Sequence, residues 1–168
     1  KEKMKRELKI FLSILLCLSA SRFIPHPWNF TSLLALSFYV PAILGLRYIP
    51  FLIITFAITD FFIGYHNLTH WTWGSVFLIG FLPIYFKNGI KLRIPGALVG
   101  AIIFFIVTNF GVWTTGSYGY SLEGFIACYT MAIPFFASSL VSTLLFSLII
   151  ESLLHLYKSR FLNISKTR

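Results

Sequence analysis

Apolar runs separated by short polar or Pro/Gly-marked breaks cover almost the whole chain. The first extends from about Leu8 to Ile24 and is closed by Pro25-His26-Pro27, where a helix cannot continue comfortably. A second covers Thr31 to Gly45 and ends before Arg47; a third, Ile49 to Gly64, follows so closely that the two form a tight hairpin. The fourth is Trp73 to Phe86, ending at Lys87-Asn88-Gly89, and the fifth runs from Ile94 or Pro95 to Thr115. The stretch from Ser121 to Tyr157 is too long for one ordinary span, and Pro134 divides it. Leu122 to Ile133 then reads as a partial, interfacial or re-entrant segment, and Phe135 to Tyr157 as the last helix. Irregular backbone at membrane depth is tolerated where protein or a wet cavity covers it. The pattern predicts an all-α, polytopic membrane bundle of about six transmembrane helices at roughly 20 residues each. It forms a single membrane domain: a basic cytoplasmic tail over 1–7, the bundle over 8–157 and a second basic cytoplasmic tail over 158–168.

Composition agrees with that class. The 168 residues are 57% hydrophobic and 11% charged, with a mean hydropathy of +0.82, whereas a soluble domain carries about 25% charged residues. Disorder, a water-soluble enzyme fold and nucleic-acid binding are excluded on this ground. The net charge of +9 reports topology instead. With both termini in the cytoplasm, every Lys and Arg except Arg22 falls on an inner segment, which is the asymmetry of the positive-inside rule. Near anionic lipid each such cation is worth about 1 kcal/mol. The basic start and Ser19-Ala20-Ser21 also resemble a signal peptide, but Arg22 and Phe23 follow at once, so the first helix is expected to be retained.

Ionisable residues inside a membrane are functional candidates by default, and Asp60 stands out. It lies four residues before Gly64, about 6 Å below the outer end of its helix, with no Lys or Arg expected beside it in the outer half. It reads as a counter-charge for a cationic ligand or a proton relay, or else as a capped helix-end carboxylate. Asn109, about 9 Å deep on the fifth helix, could partner it or serve as interhelical glue. His66 and His70 are spaced i, i+4 and His26 lies on the same side, which a zinc or nickel site could use. Gly64, Asn67 and Thr69 instead favour an irregular loop, and no metal is expected. The four tryptophans, Trp28, Trp71, Trp73 and Trp113, all map to the outer boundary, as a belt or as the walls of a pocket. Gly96, Ala97, Gly100 and Ala101 mark close helix packing, and Ser13, Cys17 and Ser21 form a similar stripe. Ser138, Ser139, Ser142, Thr143 and Ser147 turn the last helix toward protein, with Glu151 and His155 as an interfacial pair. Cys17 and Cys128 lie in apolar runs and form no ligand cluster; there is no nucleotide loop, GxSxG elbow or HExxH, so neither an enzyme nor a cofactor is expected.

Pro25-His26-Pro27-Trp28-Asn29-Phe30-Thr31, Asp60 with Gly64, Thr108-Asn109-Phe110-Gly111-Val112-Trp113, Tyr129 and Pro134-Phe135 together resemble the DUF6580 family. These are small bacterial membrane proteins of unknown function, described as transport proteins, and the resemblance covers roughly Arg22 to Phe146. Family members often carry an acid near the position of Ser142. The size and span number are also similar to the S components of energy-coupling-factor vitamin transporters. That likeness implies an outward-facing pocket and a transmembrane coupling subunit with ATPases as partner. The resulting expectation is a substrate-binding transport protein of the bacterial cytoplasmic (inner) membrane, for a vitamin or micronutrient-like small molecule. Asn29, Asp60, Asn109 and Tyr129 would supply polar contacts, and Trp28, Trp73 and Trp113 the aromatic walls. The alternative is a non-catalytic accessory subunit of a larger membrane complex.

Overall fold

The computed structural model describes residues 2–166, all helix, turn or loop with no strand among them. Helix α1 spans Glu2–Phe23, α2 Leu33–Leu44 and, after a 3-10 turn at Leu46–Tyr48, α3 Ile49–Ile63. Then come α4 (Thr69–Ile79), the single turn α5 (Pro83–Phe86), α6 (Ile90–Thr114), α7 (Leu122–Met131) and α8 (Ile133–Lys166). Three segments are long and apolar enough to cross a membrane: Leu46–Ile63, Ile90–Thr114 and Ile133–Ser159. Helix α2 is apolar but shorter.

Most breaks fall where local chemistry demands them. Gly64 ends α3 at φ 111°, a backbone conformation that side chains with a Cβ rarely adopt, and its N–H closes onto the Asp60 carbonyl at 2.7 Å. Ser121 caps α7, its hydroxyl accepting from the Gly124 N–H at 3.1 Å. The same terminus holds the exposed Glu123 carboxyl below its ordinary range, through its own backbone N–H and the Ser121 hydroxyl. A break at Ala132 separates α7 from α8, two residues from the dividing proline.

Three boundaries differ from the sequence pattern. The fourth apolar run is two helices, because Pro83 has no N–H with which to continue α4 and opens α5 instead. Helix α6 starts at Ile90, ahead of Pro95; the carbonyl that the proline deprives of a donor belongs to the exposed Lys91. The basic ends are helical over their described residues, since α1 already begins at Glu2 and α8 continues to Lys166. Lys1, Thr167 and Arg168, which the sequence pattern assigns to those tails, lie outside the described residues.

Side-chain pairs give the helix directions. The Tyr48 hydroxyl donates to Glu7 at one end of α1 while Arg22 meets Asp60 at the other, so α1 and α3 run parallel. Arg93 near the start of α6 meets Glu151 well along α8, so these two run antiparallel. One end of the bundle is thus marked by Asp60 and the other by Glu151.

Helix α2 is the centre, touching α1, α3, α4, α5, α6 and α8. Its residues Leu33 and Val40 join a core with Leu18, Leu52 and Val76, while Leu34, Phe38 and Tyr39 join a second with Ile79, Ala97 and Ala101. Within a membrane the hydrophobic term between helices fades, and close van der Waals packing over small residues takes its place. The small residues of α6 supply that seam. A Cβ on Gly96 would stand 2.5 Å from the Phe86 Cβ and 2.7 Å from the Phe38 ring, and one on Gly100 2.9 Å from Ile79.

Gly96→Ala is therefore expected to lower stability by about 1–3 kcal/mol through overpacking. Gly74 is also helical, but a Cβ added there would meet open space, with no atom within 4 Å. Gly74→Ala should accordingly be neutral or gain about 0.5–1 kcal/mol. Thermal unfolding in detergent checks both; a Gly96→Ala protein that melts like the parent would show that the α2–α6 seam is not tight.

Candidate functional site

Arg22, one residue from the end of α1, is fixed from three sides. Its NH2 pairs with Asp60 Oδ1 at 2.7 Å, its NH1 donates to the Thr59 hydroxyl, and the guanidinium lies 4.7 Å from the centre of the Phe56 ring. Trp73 Nε1 donates to the other carboxylate oxygen, Oδ2, at 2.6 Å. Both oxygens of Asp60 are thus engaged, by α1 and by α4. This corrects the expectation that no cation stands near Asp60. Helix α1 includes Arg22, as the first apolar run does, and its parallel course beside α3 brings residues far apart in sequence into contact.

The connection from α1 to α2 folds over this pair. Asn29 has φ 59°, the one non-glycine residue with positive φ among those described, a conformation that asparagine tolerates better than most. The Ser142 hydroxyl of α8 reaches the Asn29 carbonyl at 3.5 Å, and Ser21 and Ser32 share a hydrogen bond of 2.7 Å that ties α1 to the start of α2. Across the bundle end, His66 Nδ1 accepts from the Leu68 N–H at 3.2 Å and Thr69 brackets the His66 backbone, closing the turn into α4.

Two cavity lobes open among these elements. One, of about 280 Å³, is lined by Arg22, Asp60, Phe56 and Thr31; the other, of about 250 Å³, by Asn109, Thr108, Phe105 and Phe136. They meet along Asn29, His66, Thr72, Phe104 and Ser139, which line both. Arg22 and Asp60 are the only Lys, Arg, Asp or Glu side chains in this lining, so it is close to neutral in sum. It combines hydroxyl, amide and imidazole groups with phenylalanine walls, the chemistry of a small-molecule site.

Of the ligand-contact residues expected from the sequence, Asp60 and Asn109 line different lobes and Asn29 lines both. Asn109 bonds the Phe105 carbonyl through Nδ2 at 2.7 Å and does not reach Asp60. The aromatic candidates stand outside the lining. Trp28 is 80% exposed, edge-on to Phe135. Trp73 serves Asp60 from behind, Trp113 packs against Tyr120 and Phe125, and Tyr129 donates to the Ile106 carbonyl at 2.7 Å. His66 closes a turn while His70 packs on Trp71, and among the described residues no three His, Cys, Asp or Glu side chains converge. Sequence reasoning missed Arg22, Thr72, Phe104 and Ser139. Ser139 carried a signal as part of the hydroxyl stripe, and Arg22 as the one cation placed on the outer side.

A second charged cluster lies at the opposite end. Arg93 grips Glu151 with two bonds, Nε to Oε1 at 2.7 Å and NH2 to Oε2 at 2.6 Å, and the Tyr39 hydroxyl donates to Oε1 at 3.0 Å. Glu151 therefore turns to α6 and α2, not to His155 as the i, i+4 spacing suggests. Arg93, counted from sequence among the orienting surface cations, is 15% exposed and structural.

A family model described as a family of unknown function, DUF6580, matches residues 2–165. The chain belongs to that family. No curated protein and no solved structure matches it. The DUF6580 match takes in both charged clusters and every residue that lines the two lobes.

Removing one partner of a buried ion pair strands the other. Asp60→Asn and Arg22→Met are each expected to lower stability by about 3–5 kcal/mol, and the double variant Arg22→Met/Asp60→Leu by less than the sum. Trp73→Phe, which deletes one hydrogen bond to a charged group, should cost about 1.5–3 kcal/mol. Unfolding in detergent measures all of these, and additive single and double losses would show that the pair is not energetically coupled.

Proposed function

We propose that this chain is a membrane transport protein that binds a small molecule, of vitamin or micronutrient size, in the adjoining lobes at the Asp60 end. The single observation that carries the reading is the pair of adjoining polar-lined cavities, whose linings have Asn29, His66, Thr72, Phe104 and Ser139 in common. The three helices long and apolar enough to cross a membrane support placement in a bilayer. The charge distribution supports a multi-pass arrangement in the bacterial cytoplasmic membrane, with both termini cytoplasmic and the recess facing outward.

The roles differ from a simple counter-charge at Asp60. Because both of its carboxylate oxygens are taken, Asp60 acts through Arg22, holding the guanidinium at the cavity wall. A guanidinium has five N–H donors in a fixed fork, and those not used by Asp60 and Thr59 can meet an acceptor on the ligand. Asn109 and Thr108 read the far lobe, and Phe104, Phe105 and Phe136 take the role of aromatic walls expected of the tryptophans. The near-neutral lining favours a ligand without net charge, since an uncompensated charge in a low-dielectric recess is expensive. Active uptake through this recess would draw on an ion gradient or on a coupling subunit with ATPases.

Native mass spectrometry of the protein extracted gently from its own membrane tests this. The expected result is a retained small molecule whose occupancy falls in Asn109→Ala by roughly fivefold in affinity, the equivalent of about 1 kcal/mol for one hydrogen bond. Asn29→Gly, which keeps the left-handed backbone but removes the amide, should behave alike. A bare chain that travels with stoichiometric neighbours would sink the binding reading and favour an accessory subunit of a larger membrane complex.

A further inference from the structure

Between the two charged clusters runs a polar face of α8. Among the described residues, every buried side chain of α8 is polar: Ser139, Ser142, Thr143, Ser147 and Glu151. They lie on one side of the helix, facing α2 and α6, and cover about 18 Å at 1.5 Å per residue. A seam of this kind is ordinarily apolar.

The row connects at both ends. Ser139 lines both lobes of the Asp60-end cavity. Ser142 donates to the Ser139 carbonyl at 3.1 Å. The hydroxyls of Thr143 and Ser147, on side chains with 0% exposure, have no hydrogen-bond partner. Ser147 sits beside the Tyr39 hydroxyl without completing hydrogen-bond geometry, and that hydroxyl donates to Glu151. Glu151 and Arg93 then border a second cavity of about 700 Å³, together with His155 and Lys158. Successive members one turn apart have Cβ atoms about 5–6 Å from one another. That is the gap a single bridging water spans with two bonds of about 2.8 Å.

We propose that this row of hydroxyls, with bridging waters, is a proton-conducting file that joins the two cavities. A hydroxyl or water can accept a proton on one side while it gives one up on the other, so a proton entering from water at Ser139 displaces another toward Tyr39 and Glu151. The proton leaves from the Glu151 carboxyl to water in the second cavity; only O–H bonds form and break, and no electrons move. The groups facing Glu151 are Arg93 from α6, Tyr39 from α2 and Lys158 from α8 itself, and His155 lines the cavity beside it. Arg93 favours the ionised carboxylate, so a proton that reaches Glu151 is handed on and not stored. The same guanidinium sets a positive charge against the only carboxylate of the row, which disfavours a metal cation as the conducted species. Ionisable and hydroxyl groups inside a membrane bundle are suited to such relays.

The file does not depend on a ligand in the lobes, and its test uses the ligand-free protein. The full chain is reconstituted into phosphatidylcholine/phosphatidylglycerol vesicles enclosing a pH-sensitive dye, with a potassium gradient and valinomycin setting the potential. The expected flux exceeds that of protein-free vesicles at least tenfold. Thr143→Val and Ser147→Ala, which preserve shape closely, should each reduce it about tenfold while melting like the parent, and Ser159→Ala, beyond Glu151 on the same helix, should leave it unchanged. Glu151→Gln should abolish it, but the hydroxyl variants decide, because that change also strands Arg93. A flux no greater than in protein-free vesicles, or one that survives both hydroxyl variants, overturns the proposal. Loss of small-molecule binding with flux intact would count against the binding reading alone.

Discussion

Each buried carboxylate in this bundle is neutralised by one arginine and one aromatic donor, and each such triad ties three helices together. Asp60 of α3 is held by Arg22 of α1 and the Trp73 indole of α4. Glu151 of α8 is held by Arg93 of α6 and the Tyr39 hydroxyl of α2. Removing a charge from water is costly enough that an apolar bundle can keep one only in such company. The triads therefore set which helices are neighbours and in what register. The α1–α3–α4 group and the α2–α6–α8 group are each pinned near one end, and α2 belongs to both cores.

Between the pins, shape takes over. Phe38 of α2 lies where Gly96 of α6 has no side chain, and Ile79 of α4 lies against Gly100. Such contacts bring backbones close without needing a hydrophobic drive that the membrane weakens. The small stripe on α6 and the aromatic and aliphatic bulk on α2 and α4 are complementary halves of one seam. The cavity at the Asp60 end lies beyond that seam, where α6 changes from Gly and Ala to Phe104, Phe105 and Asn109. Its volume exists because the close packing stops there.

Local grammar explains what could be foreseen. Pro25, Gly64 and Pro134 interrupt helices by their own geometry, so the division of the chain into apolar segments, the partial helix before α8 and the small-residue seam were legible in the residues. Contacts between distant residues were not. Arg22 and Asp60 meet only because α1 and α3 run parallel, and no periodicity in either segment encodes that direction. Spacing offered Glu151 only His155, one turn further along, whereas the structure holds it on Arg93, whose bidentate fork satisfies both oxygens. The tryptophans misled for a further reason. In a chain that is apolar on almost every face, amphipathic periodicity cannot separate a ring facing lipid from a ring facing a cavity, and the few phenylalanines that supply the walls could not be told from the rest of the 19.

The hydroxyl row on α8 follows from the same constraint. A buried serine or threonine is tolerated in a helix because its side chain can bond a carbonyl one turn back, as Ser37 and Ser75 do. Thr143 and Ser147 do not take that option, and they do so on the line between a cavity and a pinned carboxylate. An apolar residue at either position would pack against α2 without leaving a polar atom unpaired. The fold thus keeps, along its central seam, the groups that are least useful for holding it together, and keeps them on the line between the cavities at the Asp60 end and the one beside Glu151.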